Sequence, residues 1–436
     1  MIKRSILLLS WAVAALGLVA CHGEGDTEDE ELLAPVVTPV DDSEALPGNP
    51  QGHGGAMLPN TDIEIPSSFE NVLLNVQSST TYQPETFAQA LANSPMLNFF
   101  GDDQSTMAMV SVPLFRLTVN SRVPQMDELF SGLVGTGKDG KRQWQIERYV
   151  FTYKTISSLT GADTVLVGTV TFPNNTLAGV KHEVGTLSLY HHVACFDETW
   201  LPSASPSLMT LHALHNSAVI EPDQMGGSSN IMQLVAGYIN GDILALQMLH
   251  CIMAALDVMK QHGVALAADG YTNNWGLSLG MPSTLGFAQY MENDAPDEIK
   301  NTLRMRATYT GEGITSFAHL NFGEEDAGDQ EQTSSNVTRG GGGYKYNDNW
   351  HPKLPLWMSC SPNDNFVSYK ALKSYCMNLR TNADGSVNEK VKWIDFNVAN
   401  TEYQEQIGGN HFVAAILTLF YMSCAENPAD MEEILQ

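Results

Sequence analysis

Serine, aspartate and histidine side chains can together move an acyl group, and three short segments of the chain supply them. Gly276-Leu277-Ser278-Leu279-Gly280 is the one G-x-S-x-G pentapeptide in the sequence. It follows a short β-rich run, Thr272 to Trp275, and precedes small and apolar residues through Tyr290 that suit a helix. A strand, a tight turn and a helix are therefore predicted around Ser278. In so tight a turn a side chain at either flanking glycine would collide with the neighbouring strand or helix. Ser278 is thus expected at the carboxyl end of a strand and the N-terminus of a helix, whose dipole favours a developing negative charge. A serine hydroxyl is a weak nucleophile near neutral pH; it needs a base, and the base needs an acid to orient it. Ser359-Cys360-Ser361-Pro362-Asn363-Asp364-Asn365-Phe366-Val367 sets Asp364 in a polar turn after an apolar strand, and Gly408-Gly409-Asn410-His411-Phe412 sets His411 in a glycine-rich loop directly before a helix. Both would emerge on the same sheet edge as Ser278. Blander readings compete: a helix-start serine between packing glycines for Ser278, a turn former for Asp364 with Asp395 or Asp384 as the acid, and a loop-lining or capping role for His411.

Elements able to position these residues follow from the hydrophobic pattern. Tyr149 to Thr155 and Thr164 to Phe172 are β-rich runs joined by a Ser/Thr/Gly turn, a predicted antiparallel pair. Short apolar strands then alternate with helical patterns: Thr186 to Tyr190, Ala218 to Ile220, a helix from Ile243 to Met259, and the strand before Ser278. Such alternation predicts a parallel α/β sheet. Between 293 and 349 the pattern is broken by Glu324-Glu325-Asp326, a Gln/Thr/Ser run and four glycines from Gly340, which reads as a lid-like insertion. Pro355 to Cys360 and Val391 to Phe396 then read as strands, and Phe412 to Cys424 as a closing helix. Residues 67–143 mix a helical stretch, Thr86 to Asn93, with an alternating apolar run, Val110 to Val119, and form an N-terminal extension of unassigned fold.

From about Arg148 to Cys424 the chain resembles the α/β-hydrolase superfamily, nearest in texture to secreted bacterial esterases and lipases. The features that carry the resemblance fall in that family's order: the hairpin, a strand ending in His191-His192, the Glu221-Pro222-Asp223 turn, the elbow at Ser278, the Asn363-to-Val367 turn and the late His411. It implies a mostly parallel central sheet flanked by helices within a catalytic domain at 144–436. It also implies Ser278 as nucleophile, His411 as general base and then acid, and Asp364 as the group fixing the imidazole tautomer. The backbone N–H of Leu279 would be one oxyanion donor, and the loop after the Thr186-to-Tyr190 strand would supply the second. Family members often carry His-Gly there; this chain has His192-Val193, which makes Val193 the assigned donor. The reaction implied is ester hydrolysis without cofactor or metal, with peptidase, acyltransferase or a non-catalytic binding role as alternatives.

The rest of the sequence concerns where such a domain would work. Residues 1–20 read as an export signal, with Lys3 and Arg4 before an apolar run, and Leu18-Val19-Ala20-Cys21 resembles a bacterial lipobox. That resemblance implies lipidation of Cys21 and an exported, outer-membrane-anchored protein. Residues 21–66 hold many acidic and few basic groups and read as a flexible tether. Across 436 residues, 49 Asp and Glu against 22 Lys and Arg give a net charge of −27. Such a balance repels nucleic-acid backbones and anionic lipid surfaces, so the lipid is the expected membrane contact. Cys195, Cys251, Cys360, Cys376 and Cys424 form no C-x-x-C pair. His191 and His192 are adjacent on an extended segment and should point to opposite faces, which argues against a shared metal.

Overall fold

A computed structural model describes residues 72–92, 94–95, 106–134, 142–157, 163–193, 195, 198–223, 241–313, 350–396 and 409–435. The signal, Cys21, the whole tether and residues 314–349 lie outside them.

A nine-stranded sheet runs in the order β1-β2-β3-β5-β4-β6-β7-β8-β9. Its frame is the hairpin of β2 (Trp144–Ile156) and β3 (Asp163–Asn175), paired antiparallel along its whole length from Trp144↔Asn175 to Ile156↔Asp163. β1 (Leu73–Tyr82) adds an antiparallel edge to β2, so the described start of the N-terminal extension belongs to the sheet. β5 (Ser217–Pro222) pairs antiparallel with β3, and from there the sheet is parallel through β4 (His182–His191), β6 (Val264–Leu277), β7 (Met305–Gly311), β8 (Leu356–Cys360) and β9 (Val391–Asp395). Both faces of the parallel strands are covered, although their sequences are mixed, β7 carrying Arg306, Thr308 and Thr310.

Alternation along each strand assigns its side chains to the two faces. Leu187 and Leu189 of β4 join one core, with α3 (Gly241–Gln261) and α4 (Gly280–Asn293) packed over them through Leu249, Ile252 and Phe287. Tyr190 of β4 and Trp275 of β6 face the other core, closed by α7 (Gly409–Cys424), a 3-10 helix (Leu208–His215), α1 (Pro84–Ala92) and α2 (Thr106–Val134). A third cluster sets α6 (Tyr369–Leu379) against β8 and the start of α4. α3 is long and apolar enough to cross a bilayer by composition, yet it is a core helix mostly enclosed by the sheet and α4. The result is an α/β-hydrolase fold: a mostly parallel sheet flanked by helices on both faces.

One expectation needs correction, and one unassigned stretch gains a structure. The interruption expected from Asn293 begins later, because α5 (Asp297–Leu303) and β7 occupy its first part, and β7 is an internal strand between β6 and β8. Arg306 had masked its strand character; its guanidinium instead lies over the Tyr271 ring, 4.2 Å from the centroid. The alternating run Val110 to Val119 is helical, part of α2. Val119, Met126 and Phe130 of that helix enter the core with Trp144.

Candidate active site

Strand register brings the candidate residues together. Leu277, Gly311 and Ser359 lie side by side across β6, β7 and β8, so the residues that follow them leave the sheet at one level. Ser278 is the first residue beyond β6 and has φ +52, a left-handed conformation that costs an L-residue roughly 1–2 kcal/mol. The turn is held by Ser278 N–H donating to Gly311 O at 3.0 Å and by Met281 N–H donating to Ser278 O at 3.0 Å. Close approach makes both flanking glycines necessary. A Cβ on Gly276 would stand 1.7 Å from Thr284 Oγ1, and one on Gly280 would stand 2.0 Å from the His191 carbonyl oxygen.

Ser278, His411 and Asp364 form a chain of buried hydrogen bonds. Ser278 Oγ is 3.0 Å from His411 Nε2, and His411 Nδ1 is 2.7 Å from Asp364 Oδ2. With Nδ1–H donated to the carboxylate, Nε2 presents its lone pair to the serine hydroxyl. The other carboxylate oxygen, Oδ1, accepts the N–H groups of Phe366 at 2.8 Å and Val367 at 2.7 Å. Asn365 joins the acid turn to the base: its Oδ1 accepts Asn410 N–H at 3.2 Å and His411 N–H at 3.4 Å, at the start of α7. Asn410 Nδ2 returns a bond to Asn363 O at 3.0 Å. The alternative acids are engaged elsewhere. Asp395 accepts from Lys373 and Trp393, and Asp384 accepts from Ser386 in an exposed turn.

Leu279 is the N-cap of α4, where helix geometry leaves the first N–H groups without intrahelical partners. Val193 is half-buried on the loop after β4, and the contact of Gly280 with the His191 and His192 carbonyls brings that loop against the start of α4. The Val193 carbonyl receives His192 Nδ1 at 2.7 Å. Burial holds the Tyr190 phenol well above its ordinary range. His191 is fixed by Ser283 and by Asn274 Oδ1, 2.8 Å from Nε2. Burial pushes it down to about 3, which keeps the ring neutral. At the end of β5, Glu221 accepts the Ser207 hydroxyl, and Asp223 accepts Ser203 N–H at 3.0 Å.

One neighbour of Asp364 escaped the sequence reading. Glu312, the residue after β7, is fully buried, has φ +47, and shares a 4.8 Å cluster of potential ligand atoms with Cys360 and Asp364. Burial pushes both the Glu312 carboxyl and the Cys360 thiol well above their ordinary ranges, toward protonated forms that bind metals poorly. The signal available was only the Gly311-Glu312-Gly313 triplet, an acidic residue between two glycines, with no apolar run before it. All five cysteines among the described residues are unpaired.

No family model matches the chain, and no curated protein does. Solved structures that it resembles include the rice cell wall degrading esterase LipA from Xanthomonas oryzae, at 13% identity over 71% of this chain and 96% of that one, with a TM-score of 0.46. Another is a candidate hydrolase from Legionella pneumophila, at 13% identity over 80% and 97% of the two chains, TM-score 0.49. The closed state of Candida antarctica lipase A is similar at 13% identity over 65% and 79%, TM-score 0.40.

Proposed function

We propose that the chain is a serine hydrolase of carboxylic esters. The observation that carries this reading is the relay of 3.0 and 2.7 Å from Ser278 through His411 to Asp364, with the serine held at a left-handed turn before a helix. In this reading His411 Nε2 takes the hydroxyl proton as Ser278 Oγ attacks the ester carbonyl, and Asp364 stabilises the imidazolium that forms. In this reading the developing oxyanion is met by the Leu279 N–H and the Val193 N–H. Collapse expels the alcohol, which takes the proton from His411 and leaves an acyl-enzyme; water, activated by His411, releases the acid.

A fluorophosphonate probe and a panel of aryl and alkyl esters test the reading. Wild type should be labelled and Ser278→Ala should not, with ester turnover lost by about 10³-fold or more. An unlabelled wild type that is silent on the panel beside reactive controls sinks it. Anilides of matched acyl group separate esterase from peptidase.

The lipobox at Cys21 supports a second part of the reading: export, lipidation and attachment to the outer membrane through that lipid alone. Radiolabelled palmitate should enter wild type and not Cys21→Ser, and the variant should move to the soluble fraction. Equal membrane retention of both would refute the anchor.

A further inference from the structure

We propose that Glu312 is a positioning residue for Asp364 and His411, a neutral carboxylic acid that donates its proton in a hydrogen bond to the Asp364 carboxylate. The kinetic consequence rests on the ester-hydrolase reading, whereas the protonation does not. Because Gly311 lies between Leu277 and Ser359 in register, Glu312 leaves the sheet between the strand that bears Ser278 and the strand that leads to Asp364. Its backbone is held in a left-handed conformation, disfavoured for any residue with a side chain, by its own N–H donating to Ser359 O at 3.1 Å. Its Oε2 accepts Ser361 N–H at 3.2 Å. Main chain and side chain are thus both tied to the segment that carries Asp364.

The two carboxyl groups then divide one charge between them. Carboxyls this close in an interior do not both ionise. Asp364 receives three donors, the Phe366 and Val367 N–H groups and the His411 imidazole. Glu312 receives one on Oε2, and its buried Oε1 meets no donor among the described residues. Charge therefore belongs on Asp364 and the proton on Glu312. An O–H at Oε1 turns an orphaned acceptor into a donor available to the neighbouring carboxylate, whose ligand atom lies within 4.8 Å of that of Glu312. Burial first, and then the Asp364 charge, push the Glu312 carboxyl upward. The other titratable groups facing it are the Cys360 thiol and the Tyr309 phenol, each raised by burial, and neither is a cation that would ionise it. A neutral donor restrains the Asp364 carboxylate without placing a second negative charge beside the imidazole.

The test compares wild type with Glu312→Gln and Glu312→Met in the full chain. Glutamine keeps the shape and a donor and adds no charge, so kcat/KM should stay within about threefold of wild type and its acid limb should not move. Methionine removes the donor, so kcat should fall by about tenfold at constant KM, as expected for a lost hydrogen bond to a charged group. If Glu312 is ionised, glutamine removes an anion near His411 and the acid limb moves to lower pH, which overturns the proposal. An unchanged kcat in Glu312→Met overturns the positioning role. Infrared difference spectra of wild type against Glu312→Gln at pH 7 should show the carbonyl stretch of a protonated acid in wild type; carboxylate bands alone refute it. That spectrum needs no turnover, so it stands apart from failure of the hydrolase reading and decides the matter if Glu312→Met does not fold.

Discussion

At Ser278 the backbone is bent into the left-handed region, and the neighbouring residues are chosen for how closely other chain segments approach. Gly276→Ala and Gly280→Ala should each destabilise the fold by about 3 kcal/mol, the upper end of what overpacking costs. The two should answer differently to relief. The nearest obstacle to a Cβ at Gly276 is the Thr284 side chain, so Thr284→Ala should recover part of the loss in chemical denaturation. At Gly280 the obstacle is the His191 backbone, which no truncation removes. Equal recovery in both pairs, or none, would contradict this account. Ser278, Asp364 and His411 are legible in the sequence because each stands in a local pattern of apolar run, polar or glycine turn, and helix. Glu312 has no comparable local signature. Its significance comes from the register of Gly311 with Leu277 and Ser359, a relation between residues tens of positions apart.

Strands and helices deliver these residues through their ends, and the tightest link between two ends is Asn365. Its side chain caps the start of α7 while its neighbours hold Asp364, so the acid turn and the base move as one unit. Asn365→Ala should cost about 1 kcal/mol of stability, the usual worth of a helix cap. Loosening the His411 end of α7 should also lower kcat more than it raises KM. Asn365→Asp keeps the acceptor and adds favourable charge at a helix N-terminus, so it should restore stability. The added anion near His411 should move the acid limb of kcat/KM to higher pH. A stable Asn365→Ala variant with unchanged kcat would show that the cap does not position the base. The hairpin, β4, β5, β8 and α7 were readable because burial and local propensity agree along them. β7 was not, since Arg306 interrupts its pattern and is accommodated by Tyr271.

Over the whole molecule, buried titratable groups set how stability follows pH. Burial pushes His191 down to about 3, His182, His192 and His212 to about 4, and His215 to about 2, from an ordinary 6.5. Their depressed values mean that the unfolded chain binds protons the folded chain refuses, so their contribution is complete above pH 6.5 and is lost as pH falls toward 4. Burial acts oppositely on two carboxyls at the end of β5, raising Glu221 from 4.5 to about 7 and Asp223 from 3.8 to about 6. Here the folded chain holds the proton, so the contribution is complete in acid and is lost as pH rises toward those values. Between about pH 4.5 and 6 the two sets partly offset each other. Below that window both states protonate the carboxyls and the histidines act alone, each adding up to about 1.4 kcal/mol per pH unit. The net charge of −27 contributes a general repulsion, which 1 M salt screens to a Debye length of about 3 Å. Five histidines outweigh two carboxyls over this range, so in such salt the urea midpoint should fall steeply as pH drops from 6.5 toward 4. Glu221→Gln removes one opposing group and should steepen that fall between pH 6.5 and 4.5. A midpoint that is the same at pH 4 and pH 6 would mean that these histidines are not held neutral by burial.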